Sequence, residues 1–508
     1  MRNSIQVFLC IILLMCASIS CQKSTTHEQS IFKPNIVIFY VDDLGYGDVS
    51  AYGATRVKTP NIDELAATGI KFTDGHCTAV TCTPSRYSLL TGSYAFRNNA
   101  AILSGDAPLL IDTSLVTLPR MLKQAGYRTS VVGKWHLGLG NGDLDWNEVI
   151  SPGPLEIGFD YSFLIPATGD RVPTVYVENH NVIGLEESDP LEVSYGKSIG
   201  DEPTGISNPE LLRVGADKQH AETIVNGVSR IGYMTGGKKA RWVDEDFADI
   251  LSTKSIETID ESSDQPFFLY YSFHDIHVPR LPHERFKRAS EMGARGDAIA
   301  QMDWCLGQVV NALKERGLYE NTLIIFSSDN GPVLFDGYYD SARYSVGDHA
   351  PAGPYNGGKY SAFEGGTRVP TIASWPARIT PKESKALVNQ VDLLRTLASI
   401  IGADLDSSAG PDSQDESAAW LGDSESGREF MVEESQTLAL RMGDWKYIRP
   451  LPNAQKIIAN KNIKTGNDEV DQLYDLSKDP GESNNVADQY TDVLSTMKSK
   501  LDEIVRAK

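Results

Sequence analysis

Cysteine is scarce in this chain. Six are spread over 508 residues, and two of them, Cys10 and Cys16, fall inside an N-terminal apolar run. The four that follow, Cys21, Cys77, Cys82 and Cys305, are too few for a disulfide framework. Spacing leaves open whether Cys77 and Cys305 are bridged. Positive charge is also short: 47 Lys and Arg face 68 Asp and Glu, for a formal net charge of -21. That excludes the basic footprint of a nucleic-acid binder. It also means that an anionic substrate must be held by a local cluster of cations, screened from the global field over roughly 8 Å. The N-terminal apolar run, Val7 to Met15, is too short to span a membrane comfortably.

That run has the make-up of an export signal instead. Arg2 supplies a basic start, and small residues follow at Ala17, Ser18 and Ser20, so residues 1–21 read as a signal peptide. Cys21 stands where a bacterial lipoprotein carries its lipidated first residue, although Leu is more usual at the position of Ser18. The expectation is an exported protein, periplasmic or on the outer-membrane surface of a bacterium. It would be lipid-anchored through Cys21 and tethered by the polar residues 22–32.

Beyond the tether, near-continuous apolar runs end abruptly in polar residues. Asn35 to Val41 ends at Asp42-Asp43, and Arg128 to Val132 at Gly133-Lys134-Trp135-His136. Phe267 to Tyr271 leads to His274 and His277, and Leu323 to Phe326 leads to Asp329-Asn330. Such runs are strands covered on both faces. Helical patterns lie between them: from Pro60 to Gly69, from Leu118 to Gly126, and through Ile299, Met302, Leu306, Val309 and Leu313. The alternation predicts a doubly wound α/β sheet, whose ligands bind beyond the carboxyl ends of the strands. The polar groups at those ends should therefore converge. The predicted layout is a main domain over 33–405, a Ser/Asp/Gly-rich linker over 406–428, and a small α+β subdomain over 429–508 with an antiparallel sheet and a helix. Residues 165–240 show few clear elements, as specificity loops do.

The sharpest local signal is Cys82-Thr83-Pro84-Ser85-Arg86. Pro84 suits the first turn of a helix, which would aim N–H groups and a positive dipole end at an anion beside Cys82. With this C-x-P-x-R motif the chain resembles the type I sulfatases of the alkaline phosphatase superfamily. Further blocks match in order: Val41 to Asp48, Thr59 to Asp63, Gly133 to Gly138, Pro266 to Pro279, Ser328 to Gly331, Gly358 to Tyr360, Glu364 to Arg368, and Leu473 to Asn485. The resemblance implies an alkaline-phosphatase-like α/β/α sandwich with a large, mostly parallel sheet. It also implies that a maturase oxidises Cys82 to formylglycine (3-oxoalanine), and that one Ca2+ is held by Asp42, Asp43, Cys82, Asp329 and Asn330. The hard oxygens of Asp42, Asp43, Asp329 and Asn330 suit calcium better than a transition metal.

In the mechanism that the resemblance implies, the hydrated aldehyde attacks sulfur, with Asp43 as its proton acceptor. Arg86 holds the hydrate, and Lys134 neutralises sulfate oxygens. His277 and Lys359 assist the departing alcohol, and His136 takes the proton that releases sulfate and restores the aldehyde. Taken alone, Lys134, Lys359 and His136 read as surface charges and a structural histidine; only the family pattern assigns them. A sulfated carbohydrate is the expected substrate, a galactose or N-acetylgalactosamine sulfate. Asp170, Arg171, Arg280, Arg343 and His349 are candidates to grip it. Two other readings stay open: a phosphonate or phosphate ester hydrolase of the same superfamily, and a lipoprotein that only binds sulfated glycan.

Overall fold

The computed structural model describes residues 33–262 and 264–507. The signal peptide, Cys21 and the tether lie outside the described residues. Residues 34–507 belong to one compact unit, built on a ten-stranded sheet. Its strands in chain order are β1 (Asn35–Val41), β2 (Ile70–Phe72), β3 (Arg128–Lys134), β4 (Tyr161–Ile165), β5 (Val177–Glu178), β6 (Asn181–Val182), β7 (Phe267–Ser272), β8 (Thr322–Ser328), β9 (Thr371–Ser374) and β10 (Lys382–Ser384). They lie side by side in the order β10-β2-β9-β8-β1-β7-β3-β4-β5-β6. The five central strands, β8, β1, β7, β3 and β4, are parallel. Antiparallel pairings with β9 and β5 begin the two flanks.

Burial on both faces explains the unbroken apolar runs. Ile36, Ile38 and Tyr40 of β1 point into one core layer, and Val37, Phe39 and Val41 into the other. The first layer is closed by helices α2 (Cys82–Thr91), α3 (Leu118–Gln124) and α6 (Leu393–Ile401). The second is closed by α1 (Pro60–Thr68), α4 (Phe247–Asp260) and α5 (Gly293–Glu315), which carries the predicted Ile299-to-Leu313 stripe. Each fully buried aliphatic side chain contributes about 1.5–3 kcal/mol, so this sandwich is the main stabilising element. Cys305 sits in that second layer, and Cys77 and Cys305 are both free and buried.

The C-terminal part follows the predicted α+β pattern. Strands β11 (Phe430–Glu434), β12 (Leu438–Met442), β13 (Trp445–Ile448) and β16 (Gln472–Asp475) form an antiparallel sheet. Helix α7 (Thr491–Arg506) buries Met497, Leu501 and Ile504 against it. Between β13 and β16 a small hairpin, β14 (Ile457–Ile458) and β15 (Ile463–Lys464), reaches out. The segment read as a linker is packed rather than free. Asp412 holds Arg97 through a 2.6 Å ion pair, and the buried Trp420 ring lies 5.2 Å from that of Phe72.

Candidate active site

Parallel register brings the polar strand ends to one edge. Val41 pairs with Ser328, and Ser272 with both Tyr40 and Gly133. The next residues, Asp42-Asp43, Asp329-Asn330, Lys134 and the His274–His277 loop, therefore meet. Gly133 is required at its place: its φ is +112°, and a Cβ there would lie 1.9 Å from the Ser272 carbonyl oxygen. Asp43 and His136 also hold left-handed backbone, φ 60° and 55°, the kind of strain that sheets store at functional sites.

Helix α2 starts at Cys82, as the Pro84 signal predicted, and all its residues are buried. The Cys82 thiol lies 3.5 Å from Asp42 Oδ1, and burial, then the Asp42 charge, raise its pKa far above the usual thiol value. One turn on, Arg86 is held by Asp329, with Nη2 and Nε donating to Oδ2 at 2.7 and 3.0 Å. Its guanidinium thus orders the carboxylate cluster and does not line the cavity above Cys82. Lys134 Nζ pairs with Asp42 Oδ2. Lys359 Nζ lies 2.9 Å from Asp43 Oδ1 and 3.0 Å from Asp336 Oδ2.

The ligand atoms of Asp42, Asp43, Cys82 and His277 lie within 4.8 Å of one another, a group able to hold a metal ion. Asn330 and Asp329 adjoin it. Asn330 Nδ2 donates to Asp43 Oδ1 at 2.7 Å, and Asp329 Oδ1 accepts from the Asp43 amide at 3.3 Å. Burial first, then the neighbouring Asp329 charge, raise the Asp42 pKa even though Lys134 is paired with it. Asn330 Oδ1 is buried without a hydrogen-bond partner. A hard cation would satisfy that oxygen, and the oxygen-rich donor set fits one.

The two histidines face the cavity as neutral rings. His136 Nε2 is 3.0 Å from the Leu103 carbonyl and must donate to it, which leaves Nδ1, buried and unpartnered, as an acceptor. His277 Nδ1 donates to the Val278 carbonyl at 2.7 Å, and its Nε2 lies 3.9 Å from Asp43 Oδ2. Burial first, then Lys134 beside His136 and Lys359 beside His277, push both pKa values well down. His274 is buried, with an unpartnered Nε2.

A cavity of about 470 Å³ opens above Cys82, His136, His277 and Lys359. Asp170 and Arg171 form part of its wall, paired at 2.8 Å. Arg280, Arg343 and His349 do not line it, which corrects that expectation. Arg280 is buried, tied to Asp340 at 2.6 Å and to the Val333 carbonyl at 2.7 Å. Arg343 lies over the Phe335 ring at 4.4 Å, and His349 Nε2 joins the buried Asp48–Arg295 pair at 2.9 Å. Three cavity residues gave no sequence signal of their own. His220 binds Asp170 at 3.4 Å and Asp217 at 2.7 Å. Asp336 joins Lys359, Lys461 and the Tyr360 hydroxyl. Lys461 comes from the β14–β15 hairpin, far along the chain, where no motif points at the site.

The family model for sulfatases matches residues 34–403. The N-acetylgalactosamine-6-O-sulfatase of Bacteroides thetaiotaomicron is 49% identical over 480 residues, covering 94% of each chain. Human arylsulfatase A is 31% identical over 485 residues, covering 92% of this chain and 86% of its own. A solved B. thetaiotaomicron structure, described with the metabolism of multiple glycosaminoglycans, superposes with a TM-score of 0.91 at 49% identity. It covers 93% of this chain and 99% of its own. The phosphonate monoester hydrolase of Agrobacterium radiobacter shares the fold alone, at TM-score 0.56 and 19% identity over 93% and 95% of the chains. The chain belongs to the sulfatase family and is a sulfuric ester hydrolase.

Proposed function

We propose that the protein is an exported glycan sulfatase that removes the 6-sulfate from an N-acetylgalactosamine or galactose unit. The observation that carries this reading is a single cavity floor. Cys82, Lys359 and the neutral His136 and His277 line it, a buried oxygen-rich cluster paired with Lys134 adjoins Cys82, and Asp170 and Arg171 form part of the wall. The identity to the N-acetylgalactosamine-6-O-sulfatase supports the sugar.

Asp42, Asp43, Asp329 and Asn330, with position 82, would hold one Ca2+. When bound, the ion supplies countercharge to sulfate and lowers the pKa of an oxygen nucleophile. Oxidation of Cys82 to formylglycine by a maturase would replace a protonated thiol with oxygen and make the donor set uniform. The residues then divide the work by charge. Lys134 and Lys359 offset the negative charge that builds on sulfate and on the departing alkoxide. His277 Nε2 carries no proton in the tautomer fixed by Val278, so Lys359, held charged by Asp336 and Asp43, would be the donor to the leaving oxygen. His136 Nδ1 is a free acceptor and suits the proton removal that releases sulfate. Arg86 fixes Asp329. Residues 1–21 as a signal and Cys21 as a lipid anchor would put the enzyme in the bacterial envelope.

Desulfation of a panel of defined sugars tests the reading. The 6-sulfates of N-acetylgalactosamine and galactose should be cleaved, their 4-sulfates spared, and an aryl phosphonate turned over far more slowly. A protein whose Cys82 peptide has the mass of the aldehyde, yet leaves both 6-sulfates intact, sinks the proposal.

A further inference from the structure

Beside the catalytic cavity lies a second pocket of about 310 Å³, floored by Phe335, Tyr339 and Tyr344. Apolar side chains this large are normally buried, yet Tyr339 is 60% exposed and Tyr344 88%. The Phe335 and Tyr339 rings are 5.5 Å apart and inclined by 30°, which makes one sloping platform. Arg343 covers the back of Phe335, donates to the Asn460 carbonyl, and keeps a buried Nε without a partner.

The two pockets share their walls. Phe335 lines the second, and the adjoining Asp336 lines the catalytic cavity. The same alternation holds for Asn460 and Lys461 on the β14–β15 turn. Asp217 lines the second pocket and bonds His220, which lines the first, at 2.7 Å. Neighbouring residues thus line the two cavities at three places.

We infer that this pocket is a second sugar subsite, which binds a neighbouring unit of the same glycan by stacking its ring on Tyr339 and Tyr344. The inference rests on the glycan-sulfatase reading above. A sugar ring offers a face of C–H bonds that suits the negative face of an aromatic ring, and its hydroxyls suit an edge lined with Arg, Asp and Asn. The volume lies at the lower end of the range for small-ligand pockets, which fits one ring and not a longer segment. The enzyme then reads at least two units of its substrate: one by reaction, one by contact.

The test uses Tyr339→Ala, Tyr344→Ala and the double variant, at exposed positions whose truncation spares the core. Kinetics on N-acetylgalactosamine 6-sulfate are compared with those on a trisaccharide that ends in it. The expected result is a KM about threefold to tenfold higher for the trisaccharide alone, with kcat unchanged, and recovery in Tyr339→Phe. A second measurement does not depend on turnover: titration calorimetry with the sulfate-free trisaccharide should show binding to the parent protein and its loss in the double variant. Equal effects on both substrates overturn the inference, as does undiminished binding of the sulfate-free sugar. A parent protein that binds the sulfate-free trisaccharide through these tyrosines but cleaves no sulfated sugar would instead sink the reaction assigned above.

Discussion

Lys359 sits at the crossing of the site's charges, 1% exposed, between Asp43 and Asp336. Lys359→Met should lower kcat by about 10²–10⁴, the span of general acid catalysis, in steady-state assays on the 6-sulfate. Retained kcat would return the donor role to His277. Calcium removal has two readouts at the same cluster. Chelation should abolish turnover and lower the melting temperature, because an ion that binds only the folded chain stabilises it. Calcium should restore both better than zinc, since Asp42, Asp43, Asp329 and Asn330 present hard oxygens. His220 gives a pH signature of its own. Burial lowers its pKa, but Asp170 and Asp217 outweigh that and raise it to about 9. The stability from its charge is then full below about pH 6.5, the unfolded value, and is lost as pH rises through about 9. Thermal unfolding followed across that window should show a decline that His220→Gln removes.

Helix α7 illustrates how an element is held. Its apolar residues Met497, Leu501 and Ile504 recur at i, i+4 and i+7 and are all buried on the C-terminal sheet. Leu501→Ala should cost about 2–5 kcal/mol, measured by urea unfolding, while the catalytic cavity is untouched. Elements of this kind were legible in the sequence because period and length mark them: the β1, β3, β7 and β8 runs, the α5 stripe, and the hairpin β12–β13 around Gly443-Asp444. Strand-end chemistry was legible too, since parallel register fixes where Asp42, Lys134 and Asp329 emerge. The walls of the cavity were not. Residues 165–240 fold as short pairs and 3-10 turns with no period to read, so His220 gave no signal. Arg343 and His349 look like Arg171 in sequence, and only tertiary packing turns them to other partners.

In the whole molecule, buried charge ties the C-terminal sheet to the Glu364 turn that precedes β9. Arg441 and Lys446 reach Glu364 at 2.7 and 3.1 Å, and Lys446 reaches Glu433 at 2.7 Å. Such a network is costly to break from one side. Lys446→Met should lose about 3–5 kcal/mol in equilibrium unfolding, because Glu433 would be left buried without its cation. A loss under about 1 kcal/mol would mean that Glu433 does not depend on this lysine.

The pairing of β1 with β8 has a consequence for how the chain is made. Asn35 finds its partner only at Thr322, and every residue of β1 is buried in the finished sheet. During synthesis the first strand therefore waits, greasy and unpaired on one side, until most of the polypeptide has emerged. Nascent chains cut short before residue 322 should clump or be captured by holdase chaperones. Those ending beyond residue 374, with β8 and β9 in hand, should resist protease far better.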